Sequence, residues 1–226
     1  MFELQPKTDS PALCRLADGY EVKSEAGTYF LLESAREIPA PEPHDNPKHR
    51  IDLTRTVFLD IESTGLRPSR PLFLVGLLFC RGGQLMLRQY LARHPREEGP
   101  LLRDLARELA AQQVLITYNG KRFDMPYIEE RMACHGVAFK WANFHIDLLW
   151  HARARYRGVL PDCRLVTLEE NILSEKRQDD VPGARIPQVY NSFVKKQEPA
   201  LMRGILKHNA LDLISLYKLL PVLHGE

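Results

Sequence analysis

Cysteine is sparse and scattered in this chain. Cys14, Cys80, Cys134 and Cys163 stand far apart, with no C-x-x-C spacing. That excludes a disulfide framework and a zinc knuckle, and it fits a reducing compartment. Long apolar runs are also missing, none approaching the roughly 18 residues that span a bilayer, so no membrane partner is expected. Charge of one sign is not in excess either. The formal net charge is +2 and the pI about 8.3, so any affinity for nucleic acid has to come from local patches and bound cations. No internal repeat or low-complexity tract is visible. The opening MFELQPKTDS has neither a basic n-region nor an apolar h-region, so the expectation is a cytoplasmic protein without a secretory signal, monomeric by default. What remains is an ordinary globular balance, 44% apolar and 27% charged in 226 residues, able to fill one large core.

Residues 1–50 differ from the rest. GYEVKSEAGTYFLLES reads as two short strands around a Glu25-Ala26-Gly27 turn, and EIPAPEPHDNPKH has four prolines that break helix and sheet alike. The expected organisation is a small N-terminal hairpin with a Pro-rich linker over 1–50, then a main domain over 51–226. From Thr56, TVFLDIES, PLFLVGLLFC and QLMLRQYLA read as a three-stranded antiparallel meander with Gly82-Gly83 at its second turn. LLRDLARELAAQ has helical spacing, QVLITYN reads as a buried strand of the parallel type, and MPYIEERMACHG as a helix stopped at Gly136. NFHIDLL is a further strand candidate. TLEENIL is expected to open a helix with a capping box from Thr167 to Glu170, and LMRGILKHNALDLISLYKLLPVL is expected to close the chain as a helix. This order indicates an α/β mixed sheet with helices on both faces.

Three stretches carry the chemistry. In VFLDIESTGL, Asp60 and Glu62 alternate with apolar residues, so on a strand both carboxylates project from one face. Such a pair is tolerated where the strand end meets water, or where a cation neutralises it. In YNGKRFDMP a strand gives way to a helix with Pro126 in its first turn, and Asp124 read alone is an N-cap. In HNALDLISL, His208 and Asp212 are spaced i, i+4 and share a helix face.

Together, Asp60-x-Glu62, Asn119-x-x-x-Phe123-Asp124 and His208-x-x-x-Asp212 resemble the three exonuclease motifs of the DEDD, DnaQ-like superfamily, with the same order and on the expected elements. CRLVTLEENIL, KRQDDVPGARIP and VY narrow the resemblance to the YprB-type ribonuclease-H-like family, over residues 56–223. The resemblance implies a ribonuclease-H-like fold and phosphodiester hydrolysis with two divalent cations, Mg²⁺ or Mn²⁺. It implies Asp60 as a ligand bridging both ions, Glu62 and Asp212 on one of them, and Asp124 reached mainly through water. Hard cations prefer such oxygen ligands, and two of them about 4 Å apart can activate water and stabilise the leaving oxyanion.

The resulting expectation is a 3′-to-5′ exonuclease acting on single strands or 3′ ends. A non-catalytic nucleic-acid-binding module and an endonuclease of the same fold are the alternatives. His208 is the candidate general base, with one departure. The superfamily's His branch places its histidine five residues before the last aspartate, whereas His208 has the four-residue spacing of the Tyr branch. One residue is about 100° of helical rotation. Candidate substrate contacts are Thr64 and Gly65, set against a plain turn, Asn119, set against a turn cap, and Lys121 and Arg122, set against solvated loop charges. Arg153, Arg155 and Arg157 could track a phosphate backbone or form a solvated face. Arg177, Asp179 and Asp180 read as a structural ion-pair loop.

Overall fold

The computed structural model describes residues 19–36 and 51–224. The Pro-rich linker expected before residue 50 lies outside the described residues. Among the described residues, seven strands form one sheet, in the order β1-β2-β5-β4-β3-β6-β7. The expected meander is β3 (Thr56–Ser63), β4 (Leu72–Arg81) and β5 (Gln84–Leu91), paired antiparallel. The β4–β5 turn uses Gly82 and Gly83, both at positive φ, where glycine has no steric penalty. Two short strands, β6 (Val114–Thr117) and β7 (Phe144–Asp147), add parallel to β3 on its other side. This is the mixed α/β architecture the sequence pattern indicated.

The N-terminal hairpin, β1 (Gly19–Ser24) and β2 (Gly27–Arg36), continues the same sheet, because β2 pairs antiparallel with β5. Tyr29 through Leu32 are buried. Arg88 on β5 joins Glu33 on β2 to Glu108, with N···O distances of 2.7 and 2.5 Å.

Helices cover both faces. α1 (Glu98–Ala110), α2 (Asp124–Cys134) and α5 (Ile186–Lys196) pack into the core that takes Val57, Leu59 and Ile61 of β3. α3 (Leu148–Tyr156), α4 (Leu165–Asn171) and α6 (Pro199–His224) share the opposite core, which takes Phe58. β4 is therefore buried on both sides and reads as an unbroken apolar run. The period-2 alternation of β3 sends Asp60 and Glu62 to the Phe58 side, under α6. Gly76, paired with Asp60 across the ladder, lets the helix come close. A Cβ there would lie 2.1 Å from Asn209 Oδ1 and 2.6 Å from Leu213 Cδ1.

One expected cap is displaced. α4 begins at Leu165, so Thr167 lies inside the helix. Arg164 holds the cap position without a side-chain cap hydrogen bond, and Asp162 just before it takes the Arg164 amide at 2.9 Å and the Thr167 hydroxyl at 2.5 Å. An Asx-type turn at Asp162 out-competes the later Thr-Glu pair.

Candidate active site

The centre is built where the β3 strand end, the start of α2 and the middle of α6 meet. β3 supplies Asp60 and Glu62, and its ladder with β4 shifts register between Glu62 and Ser63. Such a bulge re-aims side chains at the end of a strand. The second contribution comes from the β6–α2 turn. Asn119 takes a left-handed conformation, φ 65°, and its carbonyl accepts from the amides of Arg122 and Phe123. Its backbone, rather than its side chain, thus makes the turn. Gly120 lies against Thr117, where a Cβ would come within 2.4 Å of that side chain. Asp147, buried at the end of β7, accepts from the amides of Asn119 at 2.8 Å and Lys121 at 3.0 Å, and also from Leu149. It therefore braces the turn and caps α3 at once.

Asp124 is not the N-cap that its position alone indicated. Phe123 holds the cap position of α2 and Asp124 is the first helical residue, buried. Burial pushes its carboxyl up to about 7, the neighbouring charges of Asp147 and Asp212 add to this, and the amides of Asp124 itself and of Ile61 pull the other way. Its carboxylate thus turns towards β3.

The third contribution is α6. His208 and Asp212 sit one turn apart, and His208 Nε2 lies 3.9 Å from Glu62 Oε1 and 3.7 Å from Asp212 Oδ2. Between them, Asn209 donates to Asp60 Oδ2 at 2.8 Å and accepts from Gln89 at 2.8 Å. Burial raises Asp60 well above the ordinary aspartate range, helped by the charges of Asp212, Glu62 and Asp124. Glu62 is raised likewise, by burial first and then by Asp212, Asp124 and Asp180. Asp212 is raised by burial, against the pull of Arg177 and His208. Four carboxylates gathered in a water-poor place favour any cation that enters.

The all-oxygen donor set fits a hard divalent ion. Among the described residues, no three acidic, histidine or cysteine side chains already stand at the spacing that would hold an ion. Asn209 and Arg177 instead take lone pairs of Asp60 and Asp212.

Asp60, Glu62, Asp124, His208 and Asp212 are therefore brought together. The candidate substrate contacts lie around them. Thr64 bonds to the Pro71 carbonyl through both its amide and its hydroxyl, and the Gly65 carbonyl accepts from Ser63 and Tyr127, so these two form a braced loop after β3. Lys121 turns its ammonium onto the exposed Trp150 ring, 4.9 Å from its centroid, and Arg122 is exposed. Sequence reasoning missed Asn209, Glu169 and the reach of the Arg177–Asp180 segment. The signals were present but weak: an amide beside His208, and a charged run that looked self-contained.

The family model RNase_H_2, of the RNase_H superfamily, matches residues 57–224. The uncharacterized protein YprB of Bacillus subtilis (strain 168) is 34% identical over 166 residues, which are 72% of this chain and 40% of that protein. The chain thus spans less than half the length of that relative. The family B DNA polymerase of the hyperthermophilic archaeon Pyrobaculum calidifontis superposes with a TM-score of 0.59 at 18% identity, over 85% of this chain and 29% of the polymerase chain, a likeness of fold. With the meander, the parallel strands and the helix-borne last motif in place, this chain belongs to the RNase_H_2 family of the ribonuclease H-like superfamily and is a homologue of YprB.

Proposed function

We propose that this protein is a metal-dependent nuclease that hydrolyses phosphodiester bonds, acting as a 3′-to-5′ exonuclease on single strands or 3′ ends. The observation that carries the proposal is the meeting of four carboxylates from three separate elements, Asp124 buried and Asp60, Glu62 and Asp212 half-buried, beside one imidazole nitrogen. Like charges held together in this way cost stability and are repaid by a cation. Asp60, Glu62, Asp124 and Asp212 would hold two Mg²⁺ or Mn²⁺ ions, which would supply Lewis-acid activation of water and stabilisation of the leaving oxygen. His208 Nε2 faces Glu62 and Asp212, where it can take a proton from an attacking water.

The catalytic unit in this reading is residues 51–226, with the hairpin covering the free edge of β5. Thr64, Gly65 and Asn119 would meet the terminal nucleotide, and Lys121 and Arg122 its phosphates. A groove of about 690 Å³ beside Asn119, lined by Tyr118, Arg153, Arg157 and Arg164, offers the strand a basic path.

The test is incubation with 3′- and 5′-labelled single- and double-stranded DNA and RNA, in Mg²⁺, Mn²⁺ or EDTA. A stepwise ladder shortening from the 3′ end, absent in EDTA, is the expected result. Internal cuts would assign an endonuclease, and metal-replete binding without cleavage would assign a binding module.

A further inference from the structure

The segment between α4 and α5 sends two side chains into the centre from outside the three motifs. Arg177 is 9% exposed. It grips Glu169 of α4 with two nitrogens, at 2.7 and 2.5 Å, and Glu169 is itself held by Ser215 of α6 at 2.5 Å. Nη2, shared with Glu169, also reaches Asp212 Oδ1, and Nη1 donates to Asp180 Oδ2 at 3.1 Å and lies 3.5 Å from His208 Nδ1. Asp180 in turn lies 2.9 Å from His208 Nδ1 through each of its oxygens.

We propose that Asp180 is the positioning residue of His208, and that Arg177 sets Asp180 and Asp212 in register with each other around it. The inference rests on the nuclease reading for its kinetic consequence but not for its geometry. A carboxylate at Nδ1 accepts the proton that the neutral ring carries there, which leaves the Nε2 lone pair turned towards Glu62 and Asp212. The same arrangement gives an imidazole base its tautomer in hydrolytic triads. Arg177 touches both partners of the pair, and its planar fork fixes their separation in a way a lysine could not. A buried Arg–Glu pair serving only to close a loop would be a costly staple, since apolar packing does that work as well or better. The fork accounts for the four-residue spacing too. With Asp180 holding the ring from outside α6, His208 Nε2 stays one turn above Asp212, at 3.7 Å from its Oδ2.

Two measurements test this. In long-range ¹⁵N–¹H NMR spectra, with His208 assigned by its loss in His208→Gln, the neutral ring of the wild type should carry its proton on Nδ1. Asp180→Ala should move it to Nε2, and Asp180→Asn, which keeps an oxygen acceptor, should hold it on Nδ1. In single-turnover cleavage, Asp180→Ala should lose about 10- to 100-fold in rate, with little change in oligonucleotide binding. Asp180→Ala/His208→Ala should be no slower than His208→Ala alone, because a positioning effect has nothing left to position. An unchanged tautomer in Asp180→Ala, or rate losses that multiply in the double variant, would overturn the proposal. A wild type that cleaves nothing, yet shows the tautomer change, would overturn the nuclease reading and leave the positioning role standing.

Discussion

At the scale of the residue, Asp60 bears the heaviest like-charge load, facing Asp212, Glu62 and Asp124 from a half-buried position. Its alternating register with Leu59 and Ile61 was legible in the sequence, because strand period and charge identity are both local. Asp60→Asn removes one charge while leaving a carbonyl to accept from Asn209. Hydrolysis is expected to vanish, and the melting temperature in EDTA to rise above wild type through relief of repulsion. Mn²⁺ should then stabilise the variant less than it stabilises the wild type. An active Asp60→Asn protein, or equal Mn²⁺ shifts for the two, would place the ions elsewhere. His208 was legible as a partner of Asp212, but its hold on Asp180 was not, since 28 residues of chain separate them. His208→Ala should lose about 10²- to 10⁴-fold in kcat while still binding Mn²⁺ and oligonucleotide. A rate within about threefold of wild type would assign the proton to another acceptor.

At the scale of the element, the meander, the parallel strands and the closing helix follow from apolar periodicity, which reports burial directly. What local pattern could not supply was competition between partners. The Thr167 hydroxyl is taken by Asp162, whose carboxylate also holds the Arg164 amide ahead of α4, and Asp124 turns to β3 while Phe123 holds the cap position of α2. Nor does the pattern of β2 announce which strand it joins. Its alternation requires a covered face, but its pairing with β5 is set by residues 49 to 61 positions further along the chain. That pairing carries a prediction. Without residues 1–36, β5 loses a ladder of seven paired positions, from Phe30–Leu91 to Arg36–Leu85, and the apolar groups under Tyr29 to Leu32 become exposed. An open, apolar edge of this kind recruits other chains. The truncated protein should elute from size-exclusion chromatography as aggregate, where the full chain does not. A soluble, monomeric truncation with the same melting temperature would show that the sheet does not need the hairpin.

At the scale of the molecule, the acidic centre works against the two cores that surround it, and this opposition has a pH signature. Unfolded aspartate and glutamate titrate near 3.9 and 4.3. In the fold Asp124 is pushed up to about 7, and Asp60 and Glu62 lie well above their ordinary range. The folded state therefore holds more protons than the unfolded chain between about pH 4 and the folded values. Stability from these groups is fully present below the unfolded values and is lost as pH rises through the folded ones. For Asp124 alone the loss is on the order of 4 kcal/mol, or roughly 10 °C in a domain of this size. Glu21 and Glu33 have the opposite dependence. Arg93 and Arg88 hold them below the usual glutamate range against the opposing effect of burial, so they withdraw stability only when the pH falls below about 4. His145 and His151 oppose the loss from Asp124, since burial holds both rings below the usual histidine range and the fold therefore gains stability from them as pH rises to about 6.5. The carboxylate contribution is read in EDTA as the wild-type melting temperature relative to that of Asp124→Asn, which should decline from pH 5 to about 7. With saturating Mn²⁺ the fall should shrink or reverse, because the ion binds the deprotonated carboxylates and its stabilisation grows as protons leave. A constant offset between the wild-type and Asp124→Asn melting temperatures from pH 5 to 7 in EDTA would mean that Asp124 does not titrate in a crowded acidic centre, and the case for a cation site would fall with it.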